Sequence, residues 1–327
     1  MTLRISAVVE RWPVNGHFTI ARGAKKFVDL LVVVVSDGTR IGYGEGTAIY
    51  YSGETAEKCL GQVERVIDEL EAHSVSMARE ILQSLLPSGA ARNALDCALW
   101  DLEAKQTGRA LWELVGMRLP PLPLETAFTI SLGTPDAMLA DARSAAKNGY
   151  SLLKLKLNGD ADRDRVAAVR AGARDARIIV DANESWGAVD IAAEAEALKH
   201  LGVAMIEQPL PAGQDAALAN ISSPLPIFAD ESCHAAQDVP RLVGLYQGVN
   251  IKLDKAGGLT EALALRQAAQ SAKMQVMVGC MLSTSLAIQP AFLVAQSADW
   301  VDLDGPVLLA NDRPGGFSFA NGCLSPA

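Results

Sequence analysis

Leu153-Lys154-Leu155-Lys156-Leu157 is the stretch on which the reading of this chain turns. Side chains alternate faces along a β-strand, so the two lysines share one face and the three leucines the other. An isolated strand of this kind ordinarily lies at a sheet edge with its lysines in water. The surrounding chain argues otherwise. From residue 128 onward, short apolar runs alternate with Ala-rich helical segments: Phe128–Ser131, Leu153–Leu157, Arg177–Asp181, Ala204–Glu207, Ile227–Asp230, Val249–Leu253, Gln275–Gly279 and Trp300–Leu303. Strands alternating with helices imply parallel pairing through right-handed crossovers. The residues closing these runs are Ser131, Lys156, Asp181, Glu207, Asp230, Lys252, Gly279 and Asp302, with successive steps of 25, 25, 26, 23, 22, 27 and 23 residues. Eight strands at so regular a spacing, most of them ending in a charge, predict a closed barrel with its chemistry at the strand C-termini. A central barrel strand has no solvated face. The leucines then meet the helices, and both lysines turn into the mouth.

The first third has a different texture. Thr2–Val9, Phe27–Val35 and Ile41–Glu45 read as strands, with Ser36-Asp37-Gly38-Thr39 as a hairpin turn. Helices follow over residues 54–118, the clearest being Ala90–Gln106, whose apolar face ends near Gly108. Pro120-Pro121-Leu122-Pro123 marks a boundary. The expected organisation is an α+β capping domain over 1–118, a barrel over 119–305 and a C-terminal segment over 306–327.

Composition narrows the chemistry. The formal net charge is −9 and no Lys/Arg run stands out, which argues against nucleic acid or an anionic membrane as partner. No apolar run is long enough to span a bilayer, and residues 1–20 lack the pattern of a signal peptide. Five scattered cysteines without CxxC spacing fit neither a disulfide framework nor a zinc site and suit a reducing cytoplasm. The four histidines are well separated, so chemistry built on histidine is not expected. The oligomeric state stays open, with a homo-oligomer compatible.

Asp181, Glu207 and Asp230 end the third, fourth and fifth barrel strands. Any one Asp between strand and helix suits an N-cap, but Glu is a poor one. Three ionised carboxylates in one pocket repel each other and are costly to desolvate. A divalent cation resolves both problems, and an all-oxygen donor set selects Mg²⁺ first and Mn²⁺ second. Lys156 on the second strand and Lys252 on the sixth face each other across a ring of eight. A carboxylate substrate held at the metal then has a lysine on either face of its α-carbon. That arrangement suits removal of the α-proton by one lysine and its return by the other through a metal-stabilised enediolate. Positive charge on Lys154 would favour the neutral form of Lys156. Lys255, three residues beyond Lys252, is expected in a loop off the inward register and takes the lesser share.

Lys154-x-Lys156, Asp181, Glu207, Asp230 and Lys252, in this order and spacing, resemble the enolase superfamily and its muconate-lactonising-enzyme subgroup. The resemblance covers nearly the whole chain. It implies a modified TIM-type (β/α)₇β barrel with an α+β N-terminal capping domain and a short C-terminal return to that domain. The stretches Gly89–Trp100, Asp181–Trp186, Asn250–Lys255 and Asp302–Pro306 are similar to dipeptide epimerases of the L-Ala-D/L-Glu kind. By that resemblance, Asp302 and Asp304 receive the ammonium group of a dipeptide, and Arg22 in a cap loop pairs with the side-chain carboxylate of its glutamate. Taken alone, the Asp302/Asp304 pair fits strand-end capping equally well, and Arg22 fits a plain surface arginine. Thr129, Ser131, Cys280, Met281 and Ser283 lie where such enzymes shape their pockets, and none carries an assigned role.

The expected activity is therefore Mg²⁺-dependent epimerisation of a small dipeptide in murein peptide turnover. An o-succinylbenzoate synthase or cycloisomerase of the same superfamily is the alternative reaction, and its substrate carries no ammonium for Asp302 and Asp304. A catalytically silent binding protein on this fold is the alternative of another class, but no lysine or metal-ligand position is lost.

Overall fold

Strands β1 (Arg4–Ile20), β2 (Gly23–Ser36) and β3 (Ile41–Thr47) form an antiparallel meander in a computed structural model that describes residues 3–326. Thr2, expected to open the first strand, and Ala327, at the end of the expected return, lie outside the described residues. Both arms of the first hairpin are longer than the sequence suggests. Pro13 and Gly16 read as strand breakers, yet β1 carries them through a register irregularity between Pro13 and Phe18 and pairs again as far as Ile20↔Gly23. Arg22 therefore sits at the tip of a long hairpin arm rather than in an irregular loop.

Helices α1 (Ala56–Glu64), α2 (Ile67–Glu71), α3 (Val75–Leu85) and α4 (Ala90–Thr107) complete this unit. The Thr55 and Ser74 hydroxyls cap α1 and α3, and α4 ends in the left-handed Gly108. Three glycines set how α4 meets the sheet. Gly42, Gly44 and Gly46 alternate along β3, so all three face α4. A β-carbon on any of them would fall well inside van der Waals contact with the carbonyl oxygen of Ala98, Ala94 or Ala90, respectively. A two-residue strand step of about 6.8 Å nearly matches a four-residue helical rise of about 6.0 Å. Glycines two apart and alanines four apart thus stay in step, and backbone packs on backbone. The opposite face of β3 carries Glu45, buried against the Thr284 amide at 2.8 Å and the Arg313 guanidinium at 3.0 Å.

The barrel follows as eight parallel strands in sequence order: β5 (Phe128–Ile130), β6 (Leu152–Lys156), β7 (Arg177–Asp181), β8 (Val203–Glu207), β9 (Ile227–Ala229), β10 (Gly248–Ile251), β11 (Gln275–Gly279) and β12 (Trp300–Asp302). They are preceded by the short β4 (Leu124–Glu125). The ring closes where the Ala127 amide donates to Val301 O at 2.8 Å. Strand alternation sorts the two faces. Leu153, Leu155, Ile178, Val180, Ile206, Val249 and Ile251 face outward into the main core. Leu152, Ile179, Met205, Phe228 and Met277 point inward and plug the lower barrel. Gly248 leaves room for this plug, since a β-carbon there would overlap the Phe228 ring. Two residues further along the same inward faces stand Lys154, Asp181, Glu207 and Asp230.

The βα alternation is less uniform than the spacing implies. Full helices follow β5, β6, β7, β10 and β11. After β8 there is only the 3₁₀ segment Asp215–Asn220, and after β9 another at Ala236–Asp238 with one α-turn, Val239–Leu242. These crossovers correspond to the 23- and 22-residue steps that end at Asp230 and Lys252. Buried polar groups occupy this sector: Gln208 Nε2 donates to Ser232 Oγ at 2.9 Å and to the Tyr246 hydroxyl at 3.1 Å. The C-terminal segment reaches the first unit through Arg313, which pairs with Glu10 at 2.7 Å and with Glu45. Its strand β13 (Ser318–Ala320) instead pairs with β14 (Cys323–Ser325), which pairs with β4 ahead of the barrel. Among the described residues, no helix is long and apolar enough to cross a membrane.

Because backbone on both sides of the β3–α4 seam has nowhere to move, Gly44→Ala should destabilise the protein by about 2–3 kcal/mol. Urea unfolding tests this, and a variant within about 0.5 kcal/mol of the parent would sink the account of the seam.

Candidate active site

At the upper end of the barrel, the inward positions change from apolar to charged within one strand repeat. Asp181, Glu207 and Asp230 are buried, and each offers a carboxylate oxygen within 4.8 Å of the others. Lysines surround them. Lys156 Nζ lies 2.6 Å from Asp181, and Lys252 Nζ lies 2.6 Å from Asp230. Lys154 Nζ stands between Glu207 at 2.7 Å, Asp302 at 2.9 Å and Asp181 at 3.3 Å. The expected flanking of the three carboxylates by Lys156 and Lys252 is thus met in space. Lys154 joins the carboxylate cluster to Asp302.

The electrostatics follow from burial and sign. Burial and the neighbouring Asp181 push the Glu207 carboxyl up to about 6. Burial acts on Asp181 in the same direction, but Lys156 and Lys154 outweigh it and bring that carboxyl down to about 2. Asp230 is held well below the usual carboxylate range, because Lys252 and Lys255 overcome its burial. Burial would lower Lys252, yet Asp230 more than offsets it and the ammonium titrates above its ordinary range.

Several of these placements depend on residues whose role the sequence hides. Lys252 lies one residue beyond β10 but keeps an extended backbone (φ −119°, ψ 127°), so the inward register holds. Lys255 is not in a loop. The chain coils into a single turn, Leu253–Ala256, which directs the buried Lys255 ammonium onto Asp230 Oδ1 at 2.6 Å and onto Cys233 O and Asn250 O. Asn250 Nδ2 donates to Glu207 Oε1 at 2.7 Å, and Gly279 leaves the space that Asn250 fills. Gln208 Oε1 accepts from the Asp230 and Ser232 amides at 2.8 and 3.1 Å. Parity along β10 places Asn250 inward beside Lys252, a signal present in the sequence. One helical turn leaves no periodic trace, so Lys255 has none.

Asp302 and Asp304 lie at the eighth strand end, on the same cavity as the lysines. Asp304 Oδ2 accepts from the Thr129 amide at 2.7 Å, while Asp302 Oδ1 has no hydrogen-bond partner among the described residues. Burial together with Asp302 pushes the Asp304 carboxyl up to about 7. Two adjacent buried carboxyls of which one resists ionisation make a seat for a cation.

The hairpin tip covers the mouth. Arg22 pairs with Glu184, in the left-handed turn after β7, and with Glu231 at 2.8 Å, in the loop after β9. Thr19 O accepts from the Leu132 amide at 2.9 Å. The cavity beneath is about 180 Å³ and is lined by Arg22, Lys25, Tyr50 and Tyr51 from above and by Lys154, Lys156, Lys252, Asp230, Asp302 and Asp304 from below. Thr129, Cys280 and Met281 also line it. Ser283 is buried, its Oγ unpartnered among the described residues, and Ser131 Oγ accepts from the Thr19 amide of the covering hairpin at 3.3 Å.

Residues 137–327 match the family described as enolase C-terminal domain-like, and residues 3–116 match the mandelate racemase / muconate lactonizing enzyme N-terminal domain. The chain belongs to the enolase superfamily. Within that superfamily it is 46% identical to the L-Ala-D/L-Glu epimerase of Escherichia coli K12, over 96% of this chain and 97% of that one. It is 43% identical to an N-acetyl-D-glutamate racemase of Pseudoalteromonas, over 91% and 93% of the two chains. An enolase family member from Agrobacterium tumefaciens, with homology to dipeptide epimerases and solved with sodium and L-Ala-L-Glu, superposes with a TM-score of 0.95 at 45% identity. That match covers 99% of this chain and 98% of that one.

The superfamily's metal fits the residues present. Three buried oxygen donors converge, no sulfur or imidazole joins them among the described residues, and burial pushes the Glu207 carboxyl upward, a cost that a bound cation would offset. Adding Mg²⁺ should therefore raise the melting temperature saturably, by an amount equivalent to about 2.7 kcal/mol at a hundredfold excess over Kd. Glu207→Gln should remove the effect. An equal Mg²⁺ response in that variant would show that the ion binds elsewhere.

Proposed function

We propose that this protein is a Mg²⁺-dependent dipeptide epimerase acting on L-Ala-D-Glu and L-Ala-L-Glu. One observation carries the reading: a single small cavity is lined by Lys156 and Lys252, which flank three convergent carboxylates of which Asp230 reaches the cavity wall, and by a second carboxylate pair, Asp302 and Asp304. The three carboxylates suit a metal and the substrate's α-carboxylate. The pair suits its ammonium group.

In this reading Asp181, Glu207 and Asp230 hold Mg²⁺, with Mn²⁺ as a substitute. Bound metal supplies Lewis-acid stabilisation of the negative charge that develops on the α-carboxylate. One of Lys156 and Lys252, as the amine, removes the α-proton of the second residue. The C–H electron pair moves into the carboxylate, and the other lysine, as the ammonium, delivers a proton to the opposite face. Lys154 keeps the ends of the site in register through Glu207 and Asp302. Arg22 belongs to the cover, and the side-chain carboxylate of the substrate enters the space beneath it. Murein peptide turnover in the cytoplasm is the setting we infer, in keeping with five free cysteines.

The relative that racemises N-acetylglutamate makes a second reading specific. Such a substrate offers a similar α-carboxylate and side chain but no ammonium group. Incubation with Mg²⁺ in D₂O, followed by NMR, separates the two. L-Ala-D-Glu should lose its α-proton signal as L-Ala-L-Glu accumulates, and N-acetyl-D-glutamate should react far more slowly. The reverse order would reject the dipeptide reading and the role of Asp302 and Asp304 with it. Lys156→Ala and Lys252→Ala should each lower epimerisation by about 10²–10⁴-fold, and full activity in either would refute the two-base mechanism.

A further inference from the structure

The Gly89–Trp100 stretch, so conspicuous in the sequence, contributes nothing to the cavity. Its contacts lie instead behind the turn that begins on Lys252. Leu253–Ala256 is one helical turn with Lys252 at its N-cap position and no side-chain cap. A single turn has no stability of its own, so its placement comes from what grips it.

The grip is from α4. Asp254, fully buried, accepts from Asn93 Nδ2 and from the Thr47 amide, both at 2.8 Å, on the same Oδ1. Arg92 holds the other end, donating to Ala256 O at 2.6 Å and to Gly257 O at 3.1 Å. The next helix is fastened in the same way, with Asp96 accepting from the Thr260 amide at 2.9 Å and from its hydroxyl at 2.6 Å. Arg92, Asn93, Asp96 and Trp100 share one helical face. Gly257 and Gly258, at φ +84° and +118°, let that face come close, since a side chain at either would collide with Arg92 or Asp96. On the far side of the turn, Lys255 is fixed to Asp230.

We propose that Asn93 and Arg92 are positioning residues for Lys252: the capping unit, through α4, sets where one of the two acid/base lysines stands. Lys156 has no such dependence, because it lies within β6, paired on both sides by β5 and β7. The inference rests on the two-base reading above. Loosening the α4 grip should therefore handicap one face of the substrate and spare the other. A displacement of about 1 Å is enough for a roughly hundredfold loss at a proton-transfer site.

The test measures α-proton exchange in D₂O separately from L-Ala-D-Glu and L-Ala-L-Glu, before appreciable inversion, with Mg²⁺ present. Lys252→Ala should stop exchange from one epimer and leave exchange from the other, which Lys156 supports alone. Asn93→Ala should shift the ratio of the two exchange rates in the same direction, by about tenfold or more. Trp100→Phe removes the 2.9 Å bond from the indole to Thr260 on the same face and narrows the ring beneath Arg79, but touches no hydrogen bond to Leu253–Ala256, and should leave the ratio unchanged. Equal slowing of both epimers by Asn93→Ala would reduce its role to general stability and overturn the proposal. Loss of selectivity in Lys252→Ala itself would bring down the two-base reading and this inference together. If Asn93→Ala does not fold, Arg92→Lys keeps the charge but loses the two-pronged hold on the turn, and the same shift is expected of it.

Discussion

Confining several carboxylates in one water-poor space is the constraint from which the rest of this architecture follows. Asp181, Glu207 and Asp230 would repel one another strongly without cations between them. Lys154, Lys156, Lys252 and Lys255 supply those cations and are themselves admissible in the interior only because the carboxylates are there. Neither set is stable without the other. The apolar plug around Phe228 closes the barrel below and shields these charges from solvent on that side. The strand alternation that puts Leu152 below Lys154, and Ile179 below Asp181, stacks the two layers, and the one register shift between β7 and β8 falls below them, between Ile178 and Ile179.

This mutual dependence also shapes the chemistry. Asp230 more than offsets the burial of Lys252 and shifts its ammonium upward. An acid/base pair needs one member to give up its proton. Under the proposed function, a divalent ion competing for the same carboxylates would weaken that hold on the ammonium groups, and metal binding and lysine activation would be one electrostatic event.

The barrel and most of this centre are legible in the sequence because strand alternation is strict. Lys154 and Lys156 share a face with certainty once Leu153 and Leu155 are assigned outward, and the spacing of Asp181, Glu207 and Asp230 assigns each to a strand end. Features that depend on short or irregular backbone are not legible. Pro13 and Gly16 hide the full length of the first hairpin. One turn of helix turns Lys255 from a loop residue into a ligand of Asp230. The partners of Arg22, Glu184 and Glu231, stand on turns after two different strands, and the left-handed backbone of Glu184 is invisible to pattern reasoning. The missing helices after β8 and β9 have a physical reason of the same sort. Gln208, Asp215, Ser232 and Tyr246 satisfy one another there, in place of an apolar helix face.

The base of the cover packs through Phe18 and its apolar neighbours, but its tip is clasped by charge. Arg22 has exchanged water for Glu184 and Glu231, so the hairpin tip is fastened by partners of the same chemical kind as an acidic ligand. An entering carboxylate can therefore trade places with a protein carboxylate at little cost in hydrogen bonds, whereas a neutral molecule must break the clasp with nothing to offer in return. A carboxylate is thus the kind of group that could replace one of the clasp's own partners without leaving Arg22 unpaired.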